Sequence, residues 1–432
     1  LEFRRVLFRS ISGLTSSAGS GGIMFLNKNV SLIAENVVFK QGKAVYGGAI
    51  HCNDSTGVRI RMENCSFIDN EATNNAGAFY IKGVASLNRC SFSGNKTGSN
   101  GSAITTIHKV LISDCEFVNN SAVGSGAYGA AIFNTSGGYL KVENSTFESN
   151  TAVSAGAGAF GCSAAGTTTL FENCTFWGNS GVIASVFYNR AGTVNLVNCT
   201  VAGNRGSTAD APAYFDYNAT NVYSNFINNI FAYNYSATGP KDLSLPASSV
   251  SYGSNNLISM INDPKNLDNT VSYTHGSAGN ELFANYLSVD GNSVPVLEDN
   301  GGKTKTLALS GPSSPAFANG IYSFAGFAVP SLDQRGKERE SSPCLGAYEW
   351  VAETGIKPVR KHRVSVYPNP AHDFVNVETT DNFRKAELYS LSGTHISSHT
   401  STTIPLNSST KGACFMVIVT ENETHTVQLI VN

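Results

Sequence analysis

One phrase recurs along the first half of this 432-residue chain: a polar corner, a small residue, an aromatic two places later and an asparagine three places after that. Setting the small residue as position zero aligns Val37, Cys65, Cys90, Cys115, Ser145, Cys174, Cys199 and Asn229, at spacings of 28, 25, 25, 30, 29, 25 and 30 residues. A period in this range is the signature of a solenoid, in which each repeat buries its apolar face only by stacking on its neighbours. Position plus two is Phe39, Phe67, Phe92, Phe117, Phe147, Phe176, Val201 and Phe231, and position plus five is Gly42 and then Asn70, Asn95, Asn120, Asn150, Asn179, Asn204 and Asn234.

Positions minus five and minus three are mostly apolar, as in Ile60/Met62 and Val110/Ile112, and so are zero and plus two. Each pair has the two-residue period of a strand. The three-residue gap between the pairs breaks the alternation, so the chain turns a corner there, at residues such as Glu63-Asn64 and Glu143-Asn144. A third inward segment follows the asparagine: "GGAIHC" at Gly47, "AGAFYI" at Ala76, "GSAITTI" at Gly101, "GAAIFN" at Gly129 and "GAGAFG" at Gly156, with "IASVF" at 183–187 departing from the pattern. The expected fold is all-β: a parallel β-helix of short strands over residues 11–234, its coils about 4.8 Å apart. Each phenylalanine is then expected to stack on the next coil's ring. Each plus-five asparagine is expected to occupy a left-handed turn position and to bond the turn of the adjacent coil. Asn229 at position zero suggests that the apolar stack is ending.

Composition supports this reading and excludes several functions. Charged residues make up only 14% and glycines number 42, a balance that suits strands and tight turns. A net charge of −2 gives no basic field for nucleic acid. No apolar run reaches the length of a membrane-spanning helix. Nine cysteines cannot all pair within one chain, and those at position zero read as small core residues rather than bridges or metal ligands. The opening "LEFRRVLFRS" (1–10) fits nothing downstream and resembles translated adapter or vector DNA, so it is set outside the fold. On that reading the lack of a signal peptide reflects a truncated start.

The combination of "GGAI" with "F-x-x-N" resembles the repeats of chlamydial polymorphic outer-membrane proteins and of bacterial right-handed parallel β-helix surface proteins, over roughly 21–234. Beyond it, residues 235–350 read as irregular last coils and a cap over the open end of the solenoid. Within them Asp299-Asn300-Gly301-Gly302, Ser314-Pro315-Ala316, Asp333-Gln334-Arg335-Gly336 and Gly346-Ala347-Tyr348-Glu349 resemble the choice-of-anchor Q module of bacterial β-helix proteins. The set Asp333, Arg335 and Glu349 reads as structural ion pairing rather than an active site.

Residues 351–362 are a polar, basic linker. The last segment, 363–432, alternates apolar and polar residues around glycine and asparagine turns, as a small β-sandwich does. Tyr367-Pro368-Asn369-Pro370, then Leu391-Ser392-Gly393 and the closing strand 427–431, resemble the type IX secretion C-terminal sorting domain of Bacteroidota. Cys414-Phe415 and Gln428 depart from that pattern. The resemblance implies export by the type IX machinery, removal of the domain, and attachment to the cell surface or release.

Enzymes that cut polysaccharides on a β-helix need clustered carboxylates on one outward face. Acids are sparse here. Asp69 and Glu71 flank one turn but lack counterparts in the next coils, and Glu63, Glu143 and Glu172 share a corner. Asp210 and Asp216 are the best isolated candidates for catalysis. No cofactor is indicated; Asp290-Gly291-Asn292 and Asn262-Asp263 could hold calcium only loosely, without the twelve-residue loop pattern. Trp177, on an expected outward position, and Tyr128, Tyr188 and Tyr217, expected in loops, offer aromatic faces for a glycan. The sequence therefore favours a secreted surface protein, adhesin-like or structural, with a polysaccharide-binding or polysaccharide-degrading β-helix as the alternative.

Overall fold

The computed structural model describes all residues except 1, 4–9, 17–18, 56, 218, 220, 262–265, 275–280, 290–291, 353–363, 368–370, 380–381, 391–392, 408–409, 422–423 and 432. It is all-β, and its two compact units are Leu1–Val351 and Ala352–Asn432.

The first unit is a parallel β-solenoid of about nine turns. A representative coil runs through Arg59–Glu63, Ser66–Ile68, Glu71–Ala72 and Phe79–Ile81. Equivalent strands pair in parallel, coil after coil, into one 18-stranded, one 11-stranded and one 7-stranded sheet. The register follows the sequence repeat residue for residue: Phe67 pairs with Phe92, Phe92 with Phe117 and Phe117 with Phe147. The ladders continue past residue 234 through Val250–Ser254, Leu257–Ile258, Leu267–Asp268 and Val271–Ser272.

Three columns hold the coils in register. The phenylalanines from Phe39 to Phe176 form one continuous stack, with successive centroids 4.9, 4.7, 5.0, 4.6 and 4.6 Å apart and interplanar angles of 15° or less. Val201 interrupts it, and Phe231, in register with Val201, instead meets Phe226 edge-on at 5.9 Å. All seven phenylalanines are buried.

The plus-five asparagines form the second column. From Asn95 onward each side-chain oxygen accepts both the backbone N–H and the side-chain N–H of the preceding coil's asparagine, and each amide also donates to the carbonyl at plus two, a phenylalanine's from Asn70 to Asn204 and that of Val201 at Asn234. Asn95, for example, donates to Asn120 Oδ1 at 3.1 and 2.9 Å and to the Phe67 carbonyl at 3.0 Å. The ladder starts at the Gly42 N–H and ends where Asn234 donates to the buried carboxylate of Asp242 at 2.8 Å. These asparagines do not take the left-handed conformation expected from sequence. The residue before each one does: Asp69, Asn119, Ser149 and Tyr233 have φ between 52° and 57°, and Gly94, Gly178 and Gly203 share the role. The physical reason is that the side chain must point inward to meet its copies, so the reversal of the chain falls one position earlier.

The third column is position zero. Every cysteine there is a buried free thiol. Cys90, Cys115 and Cys174 donate to the carbonyl two residues upstream at 3.1–3.4 Å, and the Ser145 hydroxyl makes the same bond at 2.8 Å. The preceding coil's N–H in turn finds an acceptor here: Cys90 N donates to Cys115 Sγ, Cys115 N to Ser145 Oγ and Cys199 N to Asn229 Oδ1. This shared geometry explains why cysteine, serine and asparagine interchange at the position. At Asn229, where Phe231 has already left the ring stack, the column carries an amide instead of a thiol, and that amide begins a second short ladder with Asn256.

Residues 297–350 run along the side of the later coils. The outward threonines at plus one receive them: Thr146 donates to the Lys305 carbonyl, Thr175 to Gln334 Oε1, and Thr200 Oγ1 accepts from Ala347 N. Two buried ion pairs fix this strap, Asp333 with Arg335 at 2.7 Å and Glu349 with Arg339 at 3.0 Å, and Arg339 also donates to Asn173 of the solenoid. The expected cap is thus a lateral strap, because the threonine column offers it hydrogen-bonding groups that a bare coil end lacks.

The second unit packs two antiparallel sheets around one core. Val364–Tyr367, Phe374–Thr379 and Thr403–Pro405 form one, and His395–His399, Phe383–Ser390, Gly412–Thr420 and Thr424–Val431 the other. Val375, Val377 and Ile404 of the first meet Leu388, Met416, Ile418 and Leu429 of the second.

Candidate functional site: an aromatic column on the outer wall

The third strand of each coil alternates strictly. Its outer residues point into the core, as Ile50, Phe79, Ile104, Ile132, Phe160 and Phe187 do, so the residue between them faces out. Parallel pairing then aligns these middle residues in one column on the outer side, Phe25, His51, Tyr80, Thr105, Phe133, Gly161, Tyr188 and Phe215, of which Phe25, Tyr80 and Phe215 are at least partly exposed and the others are buried by their neighbours. Eight rungs at about 4.8 Å span roughly 34 Å.

The column has two aromatic clusters separated by Thr105. In the first, His51 lies 5.4 Å from Phe25 and 4.9 Å from Tyr80, with Tyr46 leaning in from a turn. Burial, helped by the charge of Lys82, lowers the His51 pKa to about 4, so the imidazole is neutral and packs as an aromatic. Lys82 stands 5.7 Å over Tyr80. In the second cluster, Tyr188 is buried beneath Tyr128 and Phe215, at 5.8 and 5.7 Å, and burial raises its phenol to about 12. Above it Arg190 stands over Tyr128 at 5.1 Å and Tyr217 at 5.8 Å.

The acids occupy other places. Asp216 points into the solenoid and is fully buried; its carboxylate accepts from Ser224 at 2.8 Å, and burial raises its pKa to about 7. Asp210 is exposed and pairs with Lys241 at 2.9 Å. The two weak catalytic candidates therefore lie on opposite sides of the wall. At the corners, Glu63 pairs with Arg89, and Lys141 bridges Glu143 and Glu172 at 2.8 and 2.7 Å. Glu71 pairs with Lys43 and Glu148 with Lys305. Trp177 is not an open platform: its indole donates to the Pro295 carbonyl, beneath the hairpin of Tyr286–Val289 and Asn292–Pro295. Among the described residues no cluster of three His, Cys, Asp or Glu side chains could hold a metal. Both loosely calcium-like stretches fall largely outside the described residues.

In the second unit Tyr367 is exposed at the end of its strand, and Gly393, with φ +84°, makes the turn that Ser390 O closes. Pro368, Asn369 and Pro370 lie outside the described residues.

Sequence reasoning placed Tyr128, Tyr188 and Tyr217 separately in loops and missed that they meet; Tyr188 lies in the strand Phe187–Val197, whose outward positions the repeat sets. The signal was available: the middle residue of each third strand is aromatic in most coils once the repeats are aligned. Arg190 carried no signal, because it is an inserted residue.

Set beside known families, residues 365–432 match the model described as a secretion system C-terminal sorting domain. No curated protein matches the chain. The two units together define a class: a β-helix protein carrying a type IX sorting tail, handled by that secretion machinery and destined for the cell surface or for release. No helix of the described residues is long and apolar enough to cross a membrane.

Proposed function

We propose that the solenoid is an adhesin-like binding surface displayed outside the cell, which takes an extended saccharide along the aromatic column without cleaving it. The column itself carries this reading: six aromatic or imidazole side chains lie on one line set by the strand register, with His51, Phe133 and Tyr188 buried as its packing and Phe25, Tyr80 and Phe215 reaching the surface. Aromatic faces stack on the apolar faces of sugar rings, and a periodic row suits a periodic polymer. The pairing of the corner acids with lysine or arginine and the burial of Asp216 favour binding over hydrolysis. On the same reading the sorting domain is removed after export and the remainder is attached at the surface of a Bacteroidota cell, with the strap as a choice-of-anchor Q-type module. The test displays the full chain on cells with type IX machinery and measures adhesion to glycan-coated surfaces. Wild type is expected to adhere, and the double variant Tyr80→Ala/Tyr217→Ala to lose most of that adhesion; equal adhesion by both would sink the proposal.

A further inference from the structure

The strands Phe160–Glu172 and Phe187–Val197 fall out of step twice, between Cys162 and Ser163 and again between Ser163 and Thr168; at the first, Cys162 faces Asn189 but Ser163 faces Ala191. Arg190 is the residue left over, a β-bulge. Bulges interrupt pairing and re-aim a side chain, and they gather beside functional sites. Here the bulge turns an arginine onto the outer wall, where its guanidinium rests over the rings of Tyr128 and Tyr217. It is exposed, and among the described residues it makes no hydrogen bond and no ion pair. Its five N–H donors are therefore unspent, while the two rings hold the group in place. Tyr217 is 43% exposed and has a ring face to offer.

An arginine oriented this way fits a carboxylate or sulfate through paired N–H donors. The adjoining tyrosine adds a requirement: the ligand must carry an apolar ring face beside its anion. A uronic acid residue within a polysaccharide has both. An aspartate or glutamate side chain has only the anion. We infer that the Arg190 bulge and Tyr217 form a subsite for an acidic sugar residue, the carboxylate on the guanidinium and the pyranose face on the tyrosine. This rests on the reading of the column as a saccharide surface and specifies its ligand. The neighbouring rung Phe215, partly exposed and packed on the buried Tyr188, extends the apolar floor along the axis of the coils.

The test uses the full chain with alginate oligosaccharides, their methyl esters, and poly-glutamate, by calorimetry at low salt. Wild type is expected to bind the acid form about tenfold or more tighter than the ester, as a charge-assisted pair requires. Arg190→Gln should bring the acid down to the ester's affinity and leave the ester unchanged. Tyr217→Ala should weaken both. Because both side chains are exposed, the thermal transition of each variant should match wild type. If acid and ester bind wild type equally, or Arg190→Gln changes neither, the subsite is refuted and the broader saccharide reading stands. If poly-glutamate binds as tightly as the acid saccharide and independently of Tyr217, the ligand class is wrong. If no saccharide binds at all, both readings fall together.

Discussion

Replacing Asn120 by alanine isolates the asparagine ladder from the apolar core. Asn120 takes part in four buried side-chain hydrogen bonds: its oxygen accepts the backbone and side-chain N–H of Asn95, and its amide donates to the Phe92 carbonyl and to Asn150 Oδ1. In Asn120→Ala, Asn150 Oδ1 still accepts from the backbone N–H of residue 120. The Asn95 backbone N–H and one Asn95 amide hydrogen are left buried without an acceptor. At about 1–3 kcal/mol for each orphaned group, the cost is about 2–6 kcal/mol, a large share of the roughly 5–15 kcal/mol typical of a folded domain. The neighbouring Asn119→Ala is the control. Asn119 is exposed with φ 55°, so alanine there costs about 1–2 kcal/mol of left-handed strain and no buried bond. Both tryptophans of the chain, Trp177 and Trp350, lie in the solenoid unit, so their emission during urea unfolding follows that unit alone. The account expects Asn120→Ala to lower the midpoint well beyond Asn119→Ala. Equal midpoints, or a loss at Asn120 below about 1 kcal/mol, would refute the ladder as a stabilising element.

Three further outcomes follow from other columns. Phe117→Ala removes a ring stacked at 5.0 and 4.6 Å on two others and should cost about 3–5 kcal/mol in the same urea assay; a cost near 1 kcal/mol would contradict the stack. Asp216 has a folded pKa raised to about 7, so its protonated form stabilises the fold at low pH, and that contribution is lost as pH rises through about 7. Asp216→Asn should therefore flatten the stability profile between about pH 4 and 7 and be at least as stable as wild type at neutral pH; a less stable, equally sloped variant would contradict this. All nine cysteines are buried thiols, so a thiol reagent should label the native chain slowly and all nine sites in denaturant; rapid native labelling, or disulfides by mass, would overturn the core assignment.

The solenoid was legible because its determinants are local and repeated. A period of 25–30 residues, two inward pairs and a three-residue gap between them give the coil, and the spacing of the asparagines is the spacing of the ladder bonds. Left-handed Asn119 and inward Asn120 are adjacent and identical in type, so the sequence could not say which one turns and which one bonds. The strap was misplaced because its landing site, Thr146, Thr175 and Thr200, differs from Ser66, Ser91 and Glu116 of earlier coils only by residues that are equally at home in water. Trp177 looked outward by position and is outward, but the hairpin that covers it lies more than a hundred residues away in the chain. The aromatic column needs the third strands aligned with each other, and the Arg190 insertion hides that alignment at the rung where it matters most.

The most direct test of the account incubates the purified full chain with saturating saccharide and measures, in one sample, the amount bound and the polymer length by mass spectrometry. A binding surface predicts stoichiometric uptake with every chain at its starting length. Shortened chains with new reducing or unsaturated ends would show a catalyst in place of a binding wall.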